Sequence, residues 1–575
     1  MAVEGEAEDD LLQDLRSVAT YEFEDLLSKV NGTKDLVIQP ELMPLLEHVT
    51  PYKFLKSRQV DRMFRLDSPT DEGNHNRFFL IKPELQLVKQ VLFFIEEDRR
   101  SSIARNNVVI FVPRMLYTCE SLMEQNGMCG LVKVCEWHLD LLPLDNDFMS
   151  LEVNSAFRSL YIDQDLCCLH TVAISILNFQ RTFGVIPTVH AVGPLASTVY
   201  RLMNNLKEVG EPIPQQDPRV QELILFDRKT DLVTPLCSQL TYEGILDDVF
   251  GIKCGFVEFD TAVTDRTKAV KVLVNSTDPV FKIIRSKHFS SVNVILGQIA
   301  RELDVEFKEG RDRGQSVAQM KEFVKRMPEL KTKHNSLEVH VKACERIVDK
   351  KLADEFQRQL QTERALIENY DGKEVTEYLD ECIHRQMSAT FLFRLISLMS
   401  CTFGGLKSKV YQHYKQLIIQ ASGHKHLTSF YNLRKCGLLQ ESSSASKSGN
   451  FKSFSKRFNL VPKSVVDVDQ PTDTSFVFGG VYKPLSCSVI GSLVKKKDWS
   501  LLEGIEGTTY TQPTSVRPLS GPSKVKKKVL VYFIGGCSLS EVNALRFIGK
   551  QLDVSFIVAT TNIVNGKSLI DSVIV

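Results

Sequence analysis

At 575 residues the chain exceeds what one hydrophobic core ordinarily serves, so three or four domains are expected. Its 71 Lys and Arg balance 71 Asp and Glu, which argues against a dedicated nucleic-acid binder, since that task needs a net basic face. Hydrophobic residues at 43% suit a soluble globular chain, and no run reaches the roughly 18 apolar residues of a membrane span.

The N-terminus, MAVEGEAEDDLLQDL, is acidic and has no apolar core, so no secretory signal is expected. Residues 1–150 alternate short apolar runs (KDLVIQ, RFFLI, NVVIFV and VKVCEWHLDLLPLD) with amphipathic stretches, the pattern of a parallel sheet covered by helices. Residues 155–250 repeat the style with CLHTVAISILNFQRTFG, IPTVHAVG and LILFD. From about 285 to 435, long helical patterns rich in Leu, Lys, Glu and Gln take over. Among them, ATFLFRLISLMSCTF is short for a membrane span and carries Arg394, so it reads as a buried helix or an apolar contact surface. ESSSASKSGNFKSFSK (441–456) is serine-rich and basic and is expected to form a disordered loop. Strand–turn–helix character returns at 527–551 in KKVLVYFIGGCSLSEVNALRFIGKQ, with VSFIVAT after it. The order α/β, helical, α/β points to a helical insertion, the C-terminal segment returning to finish the second sheet.

Several stretches invite a chemical reading. In LILFDRKTDLVTPL, Asp227 and Arg228 fall at the carboxyl end of a strand, where open α/β sheets place ligands. The structural reading needs no ligand: Asp231 accepts turn amides, Thr234 caps the next helix, Pro235 suits its first turn, and Arg228 pairs with an acid. With no His or Cys close by in sequence, architecture is the preferred reading. Gly535 and Gly536 open GGCSLSEVNALRF without the G-x-G-x-x-G spacing of a dinucleotide site, whereas Ser538 and Glu541 form an S-x-x-E capping box. TNIVNGKS ends like a P-loop but has Thr561 where the leading glycine belongs. Thirteen cysteines are scattered with no C-x-x-C, which suggests free thiols in a reducing compartment and no metal site; His424 and His426 read as a solvated loop. The basic runs 495–497 and 526–528 could touch anionic lipid, but a solvated helix end and the charged start of a strand explain them. No cofactor is expected.

SVAQMKEFVKRMPELKTKHNSLEVHVKACERIV (316–348) is different. Its apolar or semi-apolar positions fall at 317, 320, 324, 327, 330, 334, 337, 341, 344 and 348, close to a coiled-coil seam. Met320, Phe323, Val324 and Met327 make a methionine-rich stripe suited to varied partner helices, continued by Leu330, Leu337 and Val341. Pro328 removes a backbone bond and is expected to kink or break the helix. Periodicity alone favours an internal helical hairpin over a seam offered to another protein.

Taken together, LILFDRKTDLVTPLCSQLTYEGILDDVFGI, the MKEFVKRMPELK…HVKACERI hairpin, GGCSLSEVNALRF and LPLDNDFMSLE resemble signatures of the SM (Sec/Munc-type) family, which controls SNARE-mediated membrane fusion. The likeness runs from about residue 35 to the C-terminus. CSQLTYEGILDDVFGIKCG and FVFGGVYKPLSC look like the vacuolar-sorting class, its B paralogue more than its A paralogue, while VATTNIVNGKSLI looks more like the A paralogue.

The resemblance implies an α/β plus α fold: an arch of three domains, with two α/β domains of parallel sheets flanked by helices and a helical domain inserted in the second. Domain 1 would span 1–150, domain 2 would combine 151–250 with 471–575, and the insertion would divide into 251–368 and 369–470. The hairpin at about 310–350 would face SNAREs. The 369–470 part would dock on a helical-repeat scaffold subunit of the spermatogenesis-defective type, with Rab GTPases engaged indirectly. The implied role is non-enzymatic: templating or protecting SNARE assembly, with tethering, on late endosome, lysosome or recycling endosome membranes reached from the cytoplasm through partners. A tether subunit without SNARE contact, an A-type member of the core vacuolar tethering complex, and a cryptic hydrolase or nucleotide binder using Asp227, Arg228 and Asp231 are the competing readings.

Overall fold

The apolar runs of the first 150 residues become neighbouring strands, because a sheet covered on both faces needs apolar side chains at successive positions. A computed structural model describes residues 11–575 except 68–72, 129, 211, 215, 260–269, 312–316, 352–353, 371, 443–450, 464–465, 497–501, 503, 506 and 512–525. Two units are evident, Met1–Leu151 and Glu152–Val575.

In the first unit, helix α1 (Leu11–Ser28) precedes β1 (Lys34–Ile38), β2 (Val60–Arg65), β3 (Asn76–Ile81), α2 (Leu85–Arg100), β4 (Asn106–Phe111), α3 (Tyr117–Gln125) and β5 (Val132–Glu136). The strands run in the order β2-β1-β3-β4-β5, all parallel. Val37, Phe79, Ile81, Val109 and Phe111 pack on Val88, Val91, Leu92 and Ile95 of α2 and on Cys119 and Met123 of α3. Trp137 is buried, its ring centroid 4.5 Å from that of Phe23 on α1, and its indole N–H donates to the Ala19 carbonyl at 3.0 Å. LPLDNDFMS forms a short antiparallel pair, β6 (Leu142–Pro143) with β7 (Phe148–Ser150). Strand β2, VDRMFR, is not among the apolar runs. It is an edge strand with most of its side chains partly or fully exposed, so it needs no continuous apolar sequence.

The second unit begins its sheet with α4 (Cys167–Phe183), β8 (Thr188–Val192), α5 (Pro194–Val209) and β9 (Glu222–Asp227). The chain then leaves through α6 (Tyr242–Phe250), strands β10 (Ile252–Lys253), β11 (Phe256–Phe259) and β12 (Val270–Leu273), and α7 (Pro279–Ile284). Helices α8 (Phe289–Arg311), α9 (Val317–Lys351), α10 (Asp354–Ile367), α11 (Lys373–His384) and α12 (Ala389–Phe403) follow. After them come α13 (Ser408–Ser422), α14 (His426–Cys436), α15 (Phe451–Phe458) and α16 (Leu485–Lys496). Strands β13 (Thr509–Thr511) and β14 (Lys527–Ile534), helix α17 (Leu539–Leu552), strand β15 (Val554–Thr560) and helix α18 (Gly566–Val573) close the chain. Within this unit the strands lie in the order β13-β8-β9-β14-β15, with β14 parallel to β9 in the register Val529 to Glu222 and Ile534 to Asp227. The C-terminal segment therefore completes the sheet that residues 188–227 begin.

Two expectations change, and one alternative is decided. Residues 251–368 are not wholly helical, because β10, β11 and β12 form a small antiparallel sheet whose strands of two to four residues are too short to show a period-2 pattern. The serine-rich stretch divides: 443–450 lies outside the described residues, but from Phe451 onward the chain is helix α15, with Phe451 and Phe454 buried. Of the two readings of ATFLFRLISLMSCTF, the buried helix holds for α12 and the contact surface does not. Every residue from Leu392 to Ser400 is buried in the unit's own core.

Candidate functional site: a buried charge network and a helical hairpin

Strand β9 delivers Asp227 and Arg228 to the carboxyl edge of the sheet, and β14 delivers Gly535 and Gly536 beside them. One Asp227 oxygen accepts the Tyr161 hydroxyl at 2.6 Å and the Lys229 amide at 2.9 Å; the other accepts the Leu195 amide at 2.9 Å, tying β9 to the start of α5. Burial raises the Asp227 carboxyl above the usual carboxylate range, while these hydrogen bonds oppose it. Arg228 is fully buried, and its Nη1 donates to both Glu541 oxygens at 2.9 and 2.8 Å. Its Nε donates to the Asp231 carbonyl at 2.9 Å, and its Nη2 lies 3.5 Å from the Asp231 carboxylate. Burial works against the Arg228 charge, but Glu541 and Asp231 outweigh it and hold the guanidinium protonated.

Asp231 accepts the Thr234 amide at 3.0 Å and hydroxyl at 2.6 Å, and the Ser486 amide at 2.9 Å. Thr234 is thus not a helix cap. It sits inside the short helical turn Val233–Leu236 with Pro235, and Asp231 supplies the acceptor that a cap would have supplied. Glu541 closes the other end: Ser538 and Glu541 form a capping box at the start of α17, and the Ser486 hydroxyl also donates to Glu541. Gly535 and Gly536 have φ +94° and +111°, and a Cβ would come within 2.7 Å of the Tyr161 ring at the first and 2.5 Å of Val564 at the second. Both glycines are explained by packing. Asp227, Arg228, Asp231 and Glu541 are at most 1% exposed, and each is engaged by partners from the protein itself. Among the described residues no group of three or more His, Cys, Asp or Glu is placed to hold a metal, and no helix is long and apolar enough to cross a membrane.

A second buried pair was not legible in the sequence. Arg394 of α12 donates to Glu363 of α10 at 2.7 Å and to the Leu236 carbonyl at 2.9 Å, while the Ser238 amide and hydroxyl donate to Glu363 at 2.9 and 2.8 Å. The insertion is thereby clasped to the turn that follows Pro235. Arg394 interrupts an apolar run, which is the one sequence signal for it.

Helices α8 and α9 form the hairpin. Glu306 pairs with Arg326 at 3.0 Å, and Phe307 meets His334 edge-on at 6.3 Å. Helix α9 runs from Val317 to Lys351 through Pro328 without a break. The amide that proline lacks would have served the carbonyl of Val324, which lies on an exposed face where water substitutes. Of the seam residues, Leu330 and Leu337 are buried, Phe323 and Met327 half-buried, Pro328 exposed, and Val324 is 62% exposed; the Met320 side chain lies outside the described residues.

Val341 is exposed instead of joining the seam, and His340 is buried in its place. The buried stripe runs 330, 337, 340, 343, 344 and 347, because His340 is satisfied there. Its Nδ1 lies 2.8 Å from the Tyr242 hydroxyl, its Nε2 lies 3.4 Å from Asp278, and its ring stacks on Phe281 at 5.8 Å. Asp278 caps α7 and accepts the Ser336 hydroxyl at 2.5 Å. Burial alone would raise its carboxyl, but His340, the Phe281 amide and Ser336 hold it below the usual range. The base of α9 is pinned, and nearer its start Phe323 and Met327 are partly and Val324 fully uncovered.

The model of the Sec1 family matches residues 34–572, and the chain belongs to that family. It is 36% identical to vacuolar protein sorting-associated protein 33B of Danio rerio, over 97% of each chain, and 30% identical to vacuolar protein sorting-associated protein 33A of Rattus norvegicus, again over 97% of each. The fold is similar to the SM protein Vps45 solved in complex with the Qa SNARE Tlg2, with a TM-score of 0.67 and 17% identity over 97% of each chain. The α/β plus α architecture is thus that of SM proteins.

Proposed function

We propose that the chain is a non-enzymatic regulator of SNARE-mediated membrane fusion and vesicle tethering in endosome and lysosome traffic. In this reading it templates or protects SNARE assembly as a subunit of a complex with a helical-repeat scaffold of the spermatogenesis-defective type. It reaches late endosome, lysosome or recycling endosome membranes from the cytoplasm through its partners, with Rab GTPases engaged indirectly. The greater identity to the 33B relative than to the 33A relative supports the B-type assignment.

The observation that carries the proposal is the stretch 323–327 of α9, where Val324 is exposed and Phe323 and Met327 are only half-covered on a helix whose base is fixed. SNARE motifs are amphipathic and disordered until they zip. A rigid apolar stripe that holds two of them in register removes part of their ordering entropy before zippering begins. Met320, Phe323, Val324 and Met327 are the contact residues this reading assigns, with the buried Leu330 and Leu337 holding the helix to its own unit and Pro328 on the exposed face.

The test is a pulldown by the full chain, with and without its scaffold subunit, against single endosomal SNAREs and assembled bundles. Wild type is compared with Met320→Asp/Met327→Asp. SNARE binding that the variant loses while it keeps the scaffold is the expected result. Equal SNARE binding by both proteins, or none by either with the scaffold retained, would overturn templating and leave a tether component.

A further inference from the structure

Helix α15, FKSFSKRF, is not used by the proposed function. Residues 442–466 contain Lys447, Lys452, Lys456, Arg457 and Lys463 and no Asp or Glu, in a chain whose net charge is zero. The structure sorts the helical part of this stretch by side. Phe451 and Phe454 are buried, Phe451 against Tyr482 at 6.0 Å, whereas Lys452, Ser453, Lys456 and Arg457 are exposed. The two helices packed on it, α12 and α16, also carry no acid.

Phe451 and Phe454 line a cavity of about 280 Å³ together with Lys229, which is exposed. Asp231, the acid among its lining residues, is already engaged by Arg228, Thr234 and Ser486. The lysines at 526–528 offer a contrast: Lys526 pairs with Asp553 at 3.0 Å, Lys527 pairs with Glu222 at 2.7 Å, and Lys528 is buried. That run is neutralised locally. Arg457 of α15 is engaged within the protein, over the Phe454 ring at 5.6 Å, whereas Lys452 and Lys456 meet no acid among the described residues of the two helices packed on α15.

We propose that the exposed face of α15, with Lys452, Lys456 and the neighbouring Lys229, is a docking element for an anionic lipid surface. The protein would then touch the membrane directly as well as through partners. A protein interface of useful affinity needs a desolvated aromatic or apolar anchor; here Phe451 and Phe454 are buried inward, and the partly buried Phe458 at the helix end is the one aromatic that is not. What α15 presents outward is cationic charge interleaved with serine, which suits a fluid polyanionic surface that rewards charge without shape. The attraction acts within a Debye length, about 10 Å at 0.1 M salt, so it holds a protein that partners have already brought to the bilayer.

The experiment is flotation of the full chain, alone and with its scaffold subunit, on phosphatidylcholine vesicles with and without phosphatidylserine, at low and high salt. Preference for the phosphatidylserine vesicles, lost at high salt, is expected. Lys452→Ala/Lys456→Ala should lower the partition coefficient roughly 30-fold, taking the usual contribution of a lysine near an anionic leaflet. Lys325→Ala/Lys331→Ala, which removes the same charge from exposed positions on α9, should change it by no more than about twofold. Hydrogen exchange over Phe451–Phe458 verifies that the helix stays seated in both variants. No preference for the anionic vesicles overturns the proposal. So does an equal loss in the two variants, which would make the effect one of net charge. Capture of an acidic protein such as calmodulin, without vesicle binding, also overturns it and assigns the face to a protein.

Discussion

Replacing Glu541 with alanine would remove the partner of a fully buried guanidinium. Glu541 accepts both Arg228 hydrogen bonds at 2.9 and 2.8 Å, the Ser538 amide and hydroxyl at 2.9 and 3.0 Å, and the Ser486 hydroxyl. Breaking a buried ion pair by deleting one side costs about 3–5 kcal/mol, because the remaining charge is stranded. Losing the capping box at the start of α17 adds about 1 kcal/mol. Asp231 still faces Arg228 at 3.5 Å, which keeps the total nearer 4 kcal/mol than 6. Glu541→Gln retains an acceptor and the reciprocal cap, so its cost should be about 1–3 kcal/mol.

Hydrogen exchange of the full chain, followed by mass spectrometry over Glu222–Asp227 and Leu539–Leu552, reads the local opening without assuming a single unfolding transition. Protection in both segments should fall by roughly a thousandfold in Glu541→Ala, the equivalent of about 4 kcal/mol. The double variant Arg228→Met/Glu541→Gln should be less damaged than the sum of its singles by about 2 kcal/mol or more, since neither charge is then stranded. Less than a tenfold change for Glu541→Ala, or strict additivity in the double variant, would refute the claim that this pair joins the two chain segments of the sheet.

Two further outcomes follow from buried groups. Burial, with help from neighbouring Asp248, pushes the Asp247 carboxyl up to about 7, while its oxygens accept the Ile252 amide at 2.9 Å and the Asn565 amide at 2.8 Å. Between the ordinary carboxylate value and about 7 the unfolded chain loses this proton and the folded chain keeps it, so Asp247 makes stability fall as pH rises through that window. Asp247→Asn should flatten the decline, seen as a smaller difference in urea midpoint between pH 4.5 and pH 7.5 than wild type gives, by about 1 M or less; an unchanged difference would refute it. His340→Ala strands the Tyr242 hydroxyl and loosens Asp278 at a cost of about 1–3 kcal/mol. Its readout is the thiol of Cys344 one turn further along α9, buried and pushed up to about 12 in wild type: alkylation should accelerate, and an unchanged rate would mean that the pin does not hold the helix.

What the sequence disclosed divides along physical lines. Strands such as Asn106–Phe111 and Lys527–Ile534 are buried on both faces, and that burial writes a continuous apolar run into them. Strand Val60–Arg65 has an edge position and the strands between Ile252 and Leu273 are very short, so neither condition leaves such a run. Composition misled at α15, where serine and lysine read as a loop; the signal that tells otherwise is Phe451, Phe454 and Phe458 at helical spacing. The seam of α9 was legible as far as Leu337 and then lost, because hydropathy ranks Val341 above His340. A histidine supplied with Tyr242 on one side and Asp278 on the other loses the desolvation penalty that would otherwise exclude it from the core.

The same limit governs the ion pairs. That Arg228 would need an acid follows from its place behind a buried strand, but the acid stands 313 residues away, and no local pattern names Glu541 over any other. What made Glu541 a candidate was its separate role in a capping box. The two readings converge because a carboxylate fixed by the amide and hydroxyl of Ser538 is already oriented, and an oriented carboxylate is what a buried guanidinium requires. Architecture therefore accounts for the charges at the sheet's carboxyl edge, and the features left for partners are those the packing does not consume: the open stripe on α9 and the basic face of α15.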